Sequence, residues 1–482
     1  MEMIVVELKP HNRVTDLKLN QYYLGKIISD NFVALNSSIK GKLQKPTSLN
    51  KGEQVAVKVN KINLPYIVEL ELVPGAYEVA NDSLDQGFLI KLETLNKLQP
   101  KLQKGVELIK DAISCSRPII IRHHADCDGY VGAIAIEKAL TPLIAAKHRS
   151  SIWHHYRRSP SRAPYYDYGD ALKDISTYLN EVKNKKPPLL IYVDSGSTKQ
   201  DILAFKRVKQ YGFDIIVLDH HKPTIKGDNP VVEGCVDLLI NPHLAGGDNT
   251  LVAGMLGCEL ARLLNKRVEL EHLPAIAGVA DKSKGKALEG YVALAKKRGY
   301  SEQLIFELGQ CIDFEIFYLG RFGSDLIEDI LFSDIEQQKR FVNLVKEQIN
   351  KSRVATLSSA EKYSEHKRLG EIQLVKLELS KIFGFGEYPP SGKATGMVFD
   401  SLNEKLHKLI VLGIGEDYIT IRTNAQGFDL NTMIEKMRAK LAHAQIEGGG
   451  HEVAGTVKFI QAAKQEVLNF IEAYLSEKYG SN

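Results

Sequence analysis

Residues 122–129, RHHADCDG, set two histidines and two aspartates directly behind the apolar run PIII. A buried carboxylate pair without compensation is costly, so these groups must be solvated, paired or held together by a divalent cation. If the strand runs on for a few residues, His124, Asp126 and Asp128 lie two apart and face one side, with His123 on the other. Gly129 then lets the chain turn into a helix whose N-terminal dipole favours an anion. Three later segments repeat the theme: IYVDSGS with Asp194 to Ser197, IIVLDHHKP with Asp219, His220 and His221, and AIAGVADKSKG ending at Asp281. Each alone has a plain reading, an aspartate as a helix N-cap or a histidine as a hydrogen-bonded structural residue. Four of them at successive strand ends are much less easily plain. Carboxylates mixed with imidazoles suit two divalent ions of the Mn²⁺ type, with Mg²⁺ as the harder alternative. Two such ions roughly 3.5 to 4 Å apart activate water and stabilise in-line displacement at phosphorus, which makes phosphoester hydrolysis the expected chemistry.

The elements that must carry these residues follow from periodicity. Before residue 78, short alternating stretches such as YYLGKIISDNFVAL, EQVAVKVNKI and YIVELEL imply a small β-barrel, with lysines 26, 40, 42, 51, 58 and 61 placed to meet a phosphate backbone. The alternative is a generic β-domain with solvated lysines. Residues 79–114 read as a helical connector interrupted at Pro100. From 115 to 300, apolar strands alternate with helix-length segments, the pattern of a doubly wound parallel sheet, whose ligands bind beyond the carboxyl ends of the strands. Residues 301–365 are helix-rich and charged, without a catalytic pattern. Residues 366–482 begin a second, smaller α/β domain.

Composition narrows the classes. At 482 residues the chain exceeds one ordinary core, and 44% hydrophobic with 25% charged residues is an ordinary globular balance. A net charge of +4 permits a nucleic-acid partner without requiring one. Five scattered cysteines indicate neither a disulfide framework nor structural zinc. No uninterrupted apolar run approaches membrane length and no secretory leader is evident, so a cytoplasmic protein without a membrane partner is expected.

In order, HADCDG, VDSGS, LDHH and GVAD, followed by GGGHEVAGTVKF, resemble the motifs of the DHH phosphoesterase superfamily with its DHH-associated C-terminal domain, and most of all the archaeal RecJ-like nucleases. The resemblance spans about residues 115–460, and the N-terminal stretch resembles an OB-fold. It implies that His124, Asp126, Asp128, Asp194, His220 and Asp281 bind metal, with Asp194 bridging two ions. It also implies that His221 stands close to the metals and the phosphate, so that Asp194, His220 and His221 carry catalysis, and that Asp219 orients a histidine. Bacterial RecJ enzymes usually have aspartate where this chain has His124, a departure shared with archaeal members. Arg422 matches the arginine that the C-terminal domain directs at a substrate strand.

The glycines 448, 449 and 450 would admit a phosphate to the backbone and His451 would donate to it; the alternative is a glycine-rich turn. The stretch 147–170 interleaves arginines with aromatics, which suits single-stranded nucleic acid, and Arg157, Arg158 and Arg162 are the expected contacts. Its alternative is a loop that packs its aromatics on the sheet. Together these imply a two-metal exonuclease acting on single-stranded DNA or RNA in replication or repair. The alternatives are a small-substrate phosphodiesterase of the nanoRNase or pyrophosphatase kind, and a replication scaffold that binds the GINS complex.

Overall fold

The computed structural model describes the chain apart from residues 1–2, 8–16, 18–20, 36–38, 48, 50, 52, 64–66, 73–76, 81–86, 148–154, 162, 182–185, 320–323, 383–387, 405, 407, 452 and 481–482. Its first part holds strands β1 (Met3–Glu7), β2 (Tyr22–Ser29), β3 (Phe32–Ala34), β4 (Lys40–Leu43), β5 (Gln54–Asn63), β6 (Ile67–Leu72) and β7 (Tyr77–Ala80). The order β3-β4-β6-β5-β2 closes through β2–β3 into a five-stranded barrel, with β1 and β7 continuing outward from β2. Alternation sends Ile27, Val33, Leu43, Val57, Val59 and Leu70 inward. Register shifts between Ile27 and Ser29 and between Val59 and Lys61 supply the bends that closure requires. At Gly41 a side chain would meet Leu70 at 2.2 Å, so anything larger than glycine would force Leu70 to move. Outside, Phe32 pairs with Lys42, and Ala34 with both Lys26 and Lys40, so one face presents an exposed phenyl ring among lysines.

The second part opens with helix α1 (Glu93–Ser114), which runs through Pro100 without a break. The expected interruption fails because one lost hydrogen bond is outweighed by a continuous buried stripe from Leu95 to Ala112. There follow β8 (Ile119–His124), α2 (Cys127–Lys147), β9 (Tyr156–Ser161), α3 (Tyr168–Glu181), β10 (Leu189–Val193), α4 (Ile202–Lys209) and β11 (Asp214–Leu218). A short hairpin of β12 (Ile225–Lys226) and β13 (Asn229–Pro230) precedes β14 (Leu238–Ile240), α5 (Ala253–Leu264), α6 (Leu273–Ala280) and α7 (Lys286–Lys297).

The sheet order is β14-β11-β10-β8-β9, and every pair is parallel. Ile120, Leu190, Tyr192, Ile215 and Val217 face α3 and α4 on one side. The alternate residues face the other side, where Gly132 of α2 lies against Val193 and Gly105 of α1 lies against Leu238 and Ile240. This is the doubly wound arrangement expected. Helix α2 is long and apolar enough to cross a membrane by length and composition, and 61% of that apolar stretch is buried. Strand β9 falls in the stretch read as a loop. As an edge strand it needs no apolar run, and Pro160 is tolerated there.

Helices α8 (Glu302–Leu319), α9 (Ser324–Phe332) and α10 (Ile335–Tyr363) lead to a mixed six-stranded sheet. It is built from β15 (Ser364–Leu369), β16 (Ile372–Glu378), α11 (Ser391–Asn403), β17 (Leu409–Ile414), β18 (Tyr418–Thr423), α12 (Leu430–Lys440), β19 (Glu447–His451), β20 (Ala454–Lys458) and α13 (Lys464–Tyr479). Helices α10 and α11 cover one face through Ala360 and Val398, and α12 and α13 cover the other through Met433, Met437, Val467 and Ile471.

Candidate metal centre

The order of the parallel sheet reverses between β8 and β10, and a crevice at such a switch point is where open α/β sheets bind ligands. His124 ends β8, Asp194 follows β10, and Asp219, His220 and His221 follow β11. Asp281 arrives differently: it caps the C-terminus of α6, so the expectation of a fourth strand end is corrected to a helix end. Strand β8 also stops at His124, so Asp126 and Asp128 do not continue its alternation. Asp126 instead N-caps α2, accepting the Gly129 amide at 3.0 Å, and Asp128 lies in that helix's first turn.

Asp194 stands between two donor groups. Its Oδ2 is 3.4 Å from His124 Nδ1, which is 2.9 Å from Asp126 Oδ2. Its Oδ1 is 3.4 Å from His220 Nε2, which also lies 3.9 Å from Asp128 Oδ2 and 3.8 Å from Asp281 Oδ2. One carboxylate thus serves two sets of donors, one oxygen each. Asp194 holds a φ of 63°, a backbone state that aspartate tolerates better than most residues and that tends to occur where function demands it.

The supporting contacts fix the rings. His220 Nδ1 lies 3.0 Å from the Asn249 carbonyl, which directs Nε2 at the carboxylates. His221 Nδ1 lies 2.7 Å from Asp219 Oδ1, and that oxygen also accepts the amides of His220 and His221. Asn241, at the end of β14, donates to both Ser197 Oγ and the His221 carbonyl, tying the loops after β10 and β11 together. Asp128 Oδ1 and Oδ2 accept the Gly254 and Ala253 amides at the N-terminus of α5. At Gly254 a side chain would meet Asp128 at 2.7 Å.

The electrostatics test whether the donors fit cations. Burial, then Asp194, pushes Asp128 well above the usual carboxylate range, and burial with the same neighbour raises Asp281 to about 6. Burial alone would lower His124 and His220, yet Asp126 and Asp194 for the first, and Asp194 and Asp281 for the second, raise both well above an ordinary histidine. So the crowded negative charge of the cluster favours protonation of His124, Asp128, His220 and Asp281. Divalent cations would relieve the same charge, and the oxygen and nitrogen donors fit them.

The substrate residues named from sequence are placed less uniformly. Arg422, on β18, is largely buried beside Gly392 and Gly396 of α11 and donates to the Ile421 carbonyl. Arg157 is exposed on β9 and donates to Thr177 Oγ1. Arg158 is corrected: its side chain is only 4% exposed and pairs with Glu137 rather than facing solvent. Arg162 lies outside the described residues, as do residues 148–154 and the side chain of His451. Tyr156 and Tyr166 of the same stretch are buried, Tyr166 packing on Tyr192 and Phe205. The run Gly448 to Gly450 forms strand β19 rather than a turn. Gln200 donates to the Gly448 carbonyl at 2.9 Å, bringing this strand beside the loop that follows Asp194.

A parallel α/β sheet thus carries two His/Asp donor groups that share one carboxylate, a candidate metal centre. Residues 118–262 match the N-terminal domain of the DHH family. A solved structure described as the DHH domain of a member of the s1p family of ribosomal proteins is 36% identical, with a TM-score of 0.76 over 81% of this chain and 93% of its own. The uncharacterized protein MJ1198 of Methanocaldococcus jannaschii is 36% identical over 427 residues, 82% of this chain and 56% of the relative, so the chain spans little more than half of that protein. RecJ from Thermus thermophilus, solved in complex with Mn²⁺, shares the fold at 16% identity and a TM-score of 0.53, over 78% of this chain and 55% of its own. The chain belongs to the DHH family.

Proposed function

We propose that the chain is a metal-dependent phosphodiesterase that removes nucleotides from single-stranded DNA or RNA. The observation that carries this reading is the shared carboxylate of Asp194, one oxygen toward His124 and the other toward His220. In this reading His124, Asp126 and Asp194 hold one cation, and Asp128, Asp194, His220 and Asp281 hold the other, Mn²⁺ or Mg²⁺. Bound there, the pair supplies Lewis-acid stabilisation of charge on the phosphoryl oxygens and a water acidic enough to attack near neutral pH.

The chain's own groups do the rest. Asn249 holds His220 in one tautomer. Against the effect of burial, Asp219 raises the His221 ring above an ordinary histidine, which favours the protonated form able to meet a phosphoryl oxygen or give a proton to the leaving oxygen. Arg422 and Gly449, from the C-terminal sheet, are the proposed contacts to the strand's backbone.

A polymeric substrate is supported by the barrel face where Phe32 stands among Lys26, Lys40 and Lys42, since a ring among cations suits a single strand. The relative described as belonging to a ribosomal-protein family supports counting RNA among the substrates. The test is degradation of end-labelled DNA and RNA single strands with Mn²⁺, with Mg²⁺ and with chelator. Shortening that needs the metal and vanishes in Asp194→Ala is the expected result; full activity in that variant or in chelator overturns the reading.

A further inference from the structure

Helix α8 contributes nothing to the two donor groups, yet Asp313 reaches the backbone between Asp126 and Asp128. Its Oδ1 accepts the Cys127 amide at 3.0 Å, and its Oδ2 accepts Lys393 Nζ at 2.6 Å. Cys127 lies between Asp126 and Asp128 and opens α2, so its N–H has no partner within the helix and must find one elsewhere. A carboxylate there is favoured twice, by the hydrogen bond and by the helix dipole. Lys393 comes from the first turn of α11, in the C-terminal part of the chain, and lies 5.6 Å from the centre of the Tyr388 ring. Asp313 therefore joins the backbone between two proposed ligands to a cation on another sheet's helix.

Burial separates this contact from an ordinary surface ion pair. The side chains of Lys393 and Asp313 are 25% and 23% exposed. A second ion pair from α11 joins Asp400 to Lys282, the neighbour of Asp281, but there both partners are more than half exposed, and such pairs contribute little. Helix α11 thus grips the chain beside a proposed ligand at two points, and only the Asp313 contact is shielded enough to hold geometry. The same helix packs Gly392 and Gly396 beside the Arg422 guanidinium. Arg422, proposed to touch substrate, and Asp313, whose carboxylate reaches the metal motif, therefore both meet α11.

We propose that Asp313 and Lys393 are positioning residues that fix the backbone between Asp126 and Asp128, so that seating of α11 sets the affinity of the metal centre. This rests on the two-metal reading above. Groups that orient ligands without binding metal typically change affinity by about 10- to 100-fold when removed. Asp313→Ala removes the acceptor from the Cys127 amide. Lys393→Met keeps the bulk of the lysine stem but frees the carboxylate to turn away, and Lys393→Arg restores a cation.

The test is calorimetric titration of Mn²⁺ into the metal-stripped full chain, with circular dichroism to establish that each variant is folded. We expect Asp313→Ala to bind about 10- to 100-fold more weakly. Lys393→Met should lose several-fold, Lys393→Arg should stay close to the parent, and the double variant Asp313→Ala with Lys393→Met should be no weaker than Asp313→Ala alone, because both act through one amide. Parental affinity in folded Asp313→Ala, or losses that add in the double variant, overturns the proposal. If Asp313→Ala does not fold, Lys393→Met decides: parental affinity overturns the relay and weakened binding supports it. Asp194→Ala is the separate arm. A parent that binds no Mn²⁺, or an Asp194→Ala that binds as the parent does, fails the metal centre and the relay with it; binding lost in Asp194→Ala but intact in Asp313→Ala and Lys393→Met fails the relay alone.

Discussion

Asp219 Oδ1 lies 2.7 Å from His221 Nδ1, and the carboxylate is fully buried while the ring is 23% exposed. The pair therefore has a structural end and a reactive end. Against burial, His221 pulls Asp219 below the usual carboxylate range, and Asp219 raises His221 in return, so the two sustain each other as an ion pair. Under the proposed function this pair handles the proton and meets the phosphate. His221→Ala should reduce the rate at saturating Mn²⁺ by about 10²-fold or more, the usual contribution of a general acid, while Mn²⁺ affinity stays within a few-fold. Asp219→Asn removes the charge that raises His221. A ring that must be protonated to act then loses its proton earlier, so the alkaline fall in rate moves to lower pH. A pH–rate profile measured for parent and variant checks the direction, and an unmoved alkaline limb counts against His221 as the acid.

Asp128 has two duties that can be measured apart. Both its oxygens accept amides at the N-terminus of α5, whereas Asp126 accepts one amide and is 38% exposed. In metal-free protein, Asp128→Ala strands two buried donors, each costing about 1–3 kcal/mol, while Asp126→Ala loses one cap worth about 1 kcal/mol. Thermal melts in chelator should therefore rank Asp128→Ala clearly below Asp126→Ala. Equal melting temperatures would mean that α5 does not depend on this carboxylate.

What the sequence made legible follows from range. The runs PIII, LLIYV and DIIVL are local patterns, each followed by its own aspartates or histidines, so the parallel sheet and most of the donors at its edge can be read along the chain. Asp281 was found by the same apolar cue, although the segment before it proved to be a helix, because a short buried run does not distinguish the two. Strand β9 was hidden, since an edge strand reading YRRSPS carries no apolar period. Arg158 misled for a related reason: charge suggests solvent, and only the fold brings Glu137 to it. Asp313 and Lys393 left no signal, because their value lies in contacts to Cys127 and to each other across 186 and 80 residues.

Glu259 gives the fold a pH dependence separate from that of the metal centre. It is fully buried in α5, accepting the Leu89 amide with both oxygens and the Tyr291 hydroxyl at 2.7 Å, and burial pushes its carboxyl up to about 7. A carboxyl whose folded pKa is raised stabilises fully below its unfolded value near 4.5 and loses that contribution as pH rises through about 7. Replacing it by a neutral amide removes the dependence. The stability difference between Glu259→Gln and the parent should move in the variant's favour by up to about 3 kcal/mol between pH 5 and pH 8. Urea unfolding of both proteins in chelator at the two pH values measures it. A difference that stays constant, or moves toward the parent, would show that Glu259 is ionised throughout.

The three glycines of β19 separate backbone necessity from substrate access. Gly448 and Gly450 hold φ of 138° and 142°, and a side chain on either would meet a carbonyl oxygen of β20, Thr456 at 2.2 Å or Ala454 at 2.5 Å. Their glycines are demanded by the strand pair itself. At Gly449 a side-chain carbon would meet nothing closer than 3.8 Å, the nearest groups being the amides of Asn431 and Gln200. Gly448→Ala and Gly450→Ala should therefore destabilise the C-terminal sheet by several kcal/mol, since neither the backbone state nor the space accepts a methyl group. Gly449→Ala should fold with a change within about 1 kcal/mol, near the difference in intrinsic cost between the two residues. If a phosphate approaches the backbone here, that methyl group should raise KM for a single strand several-fold with little change in kcat, whereas an unchanged KM in folded Gly449→Ala would leave β19 a structural strand and move the proposed strand contact to Arg422.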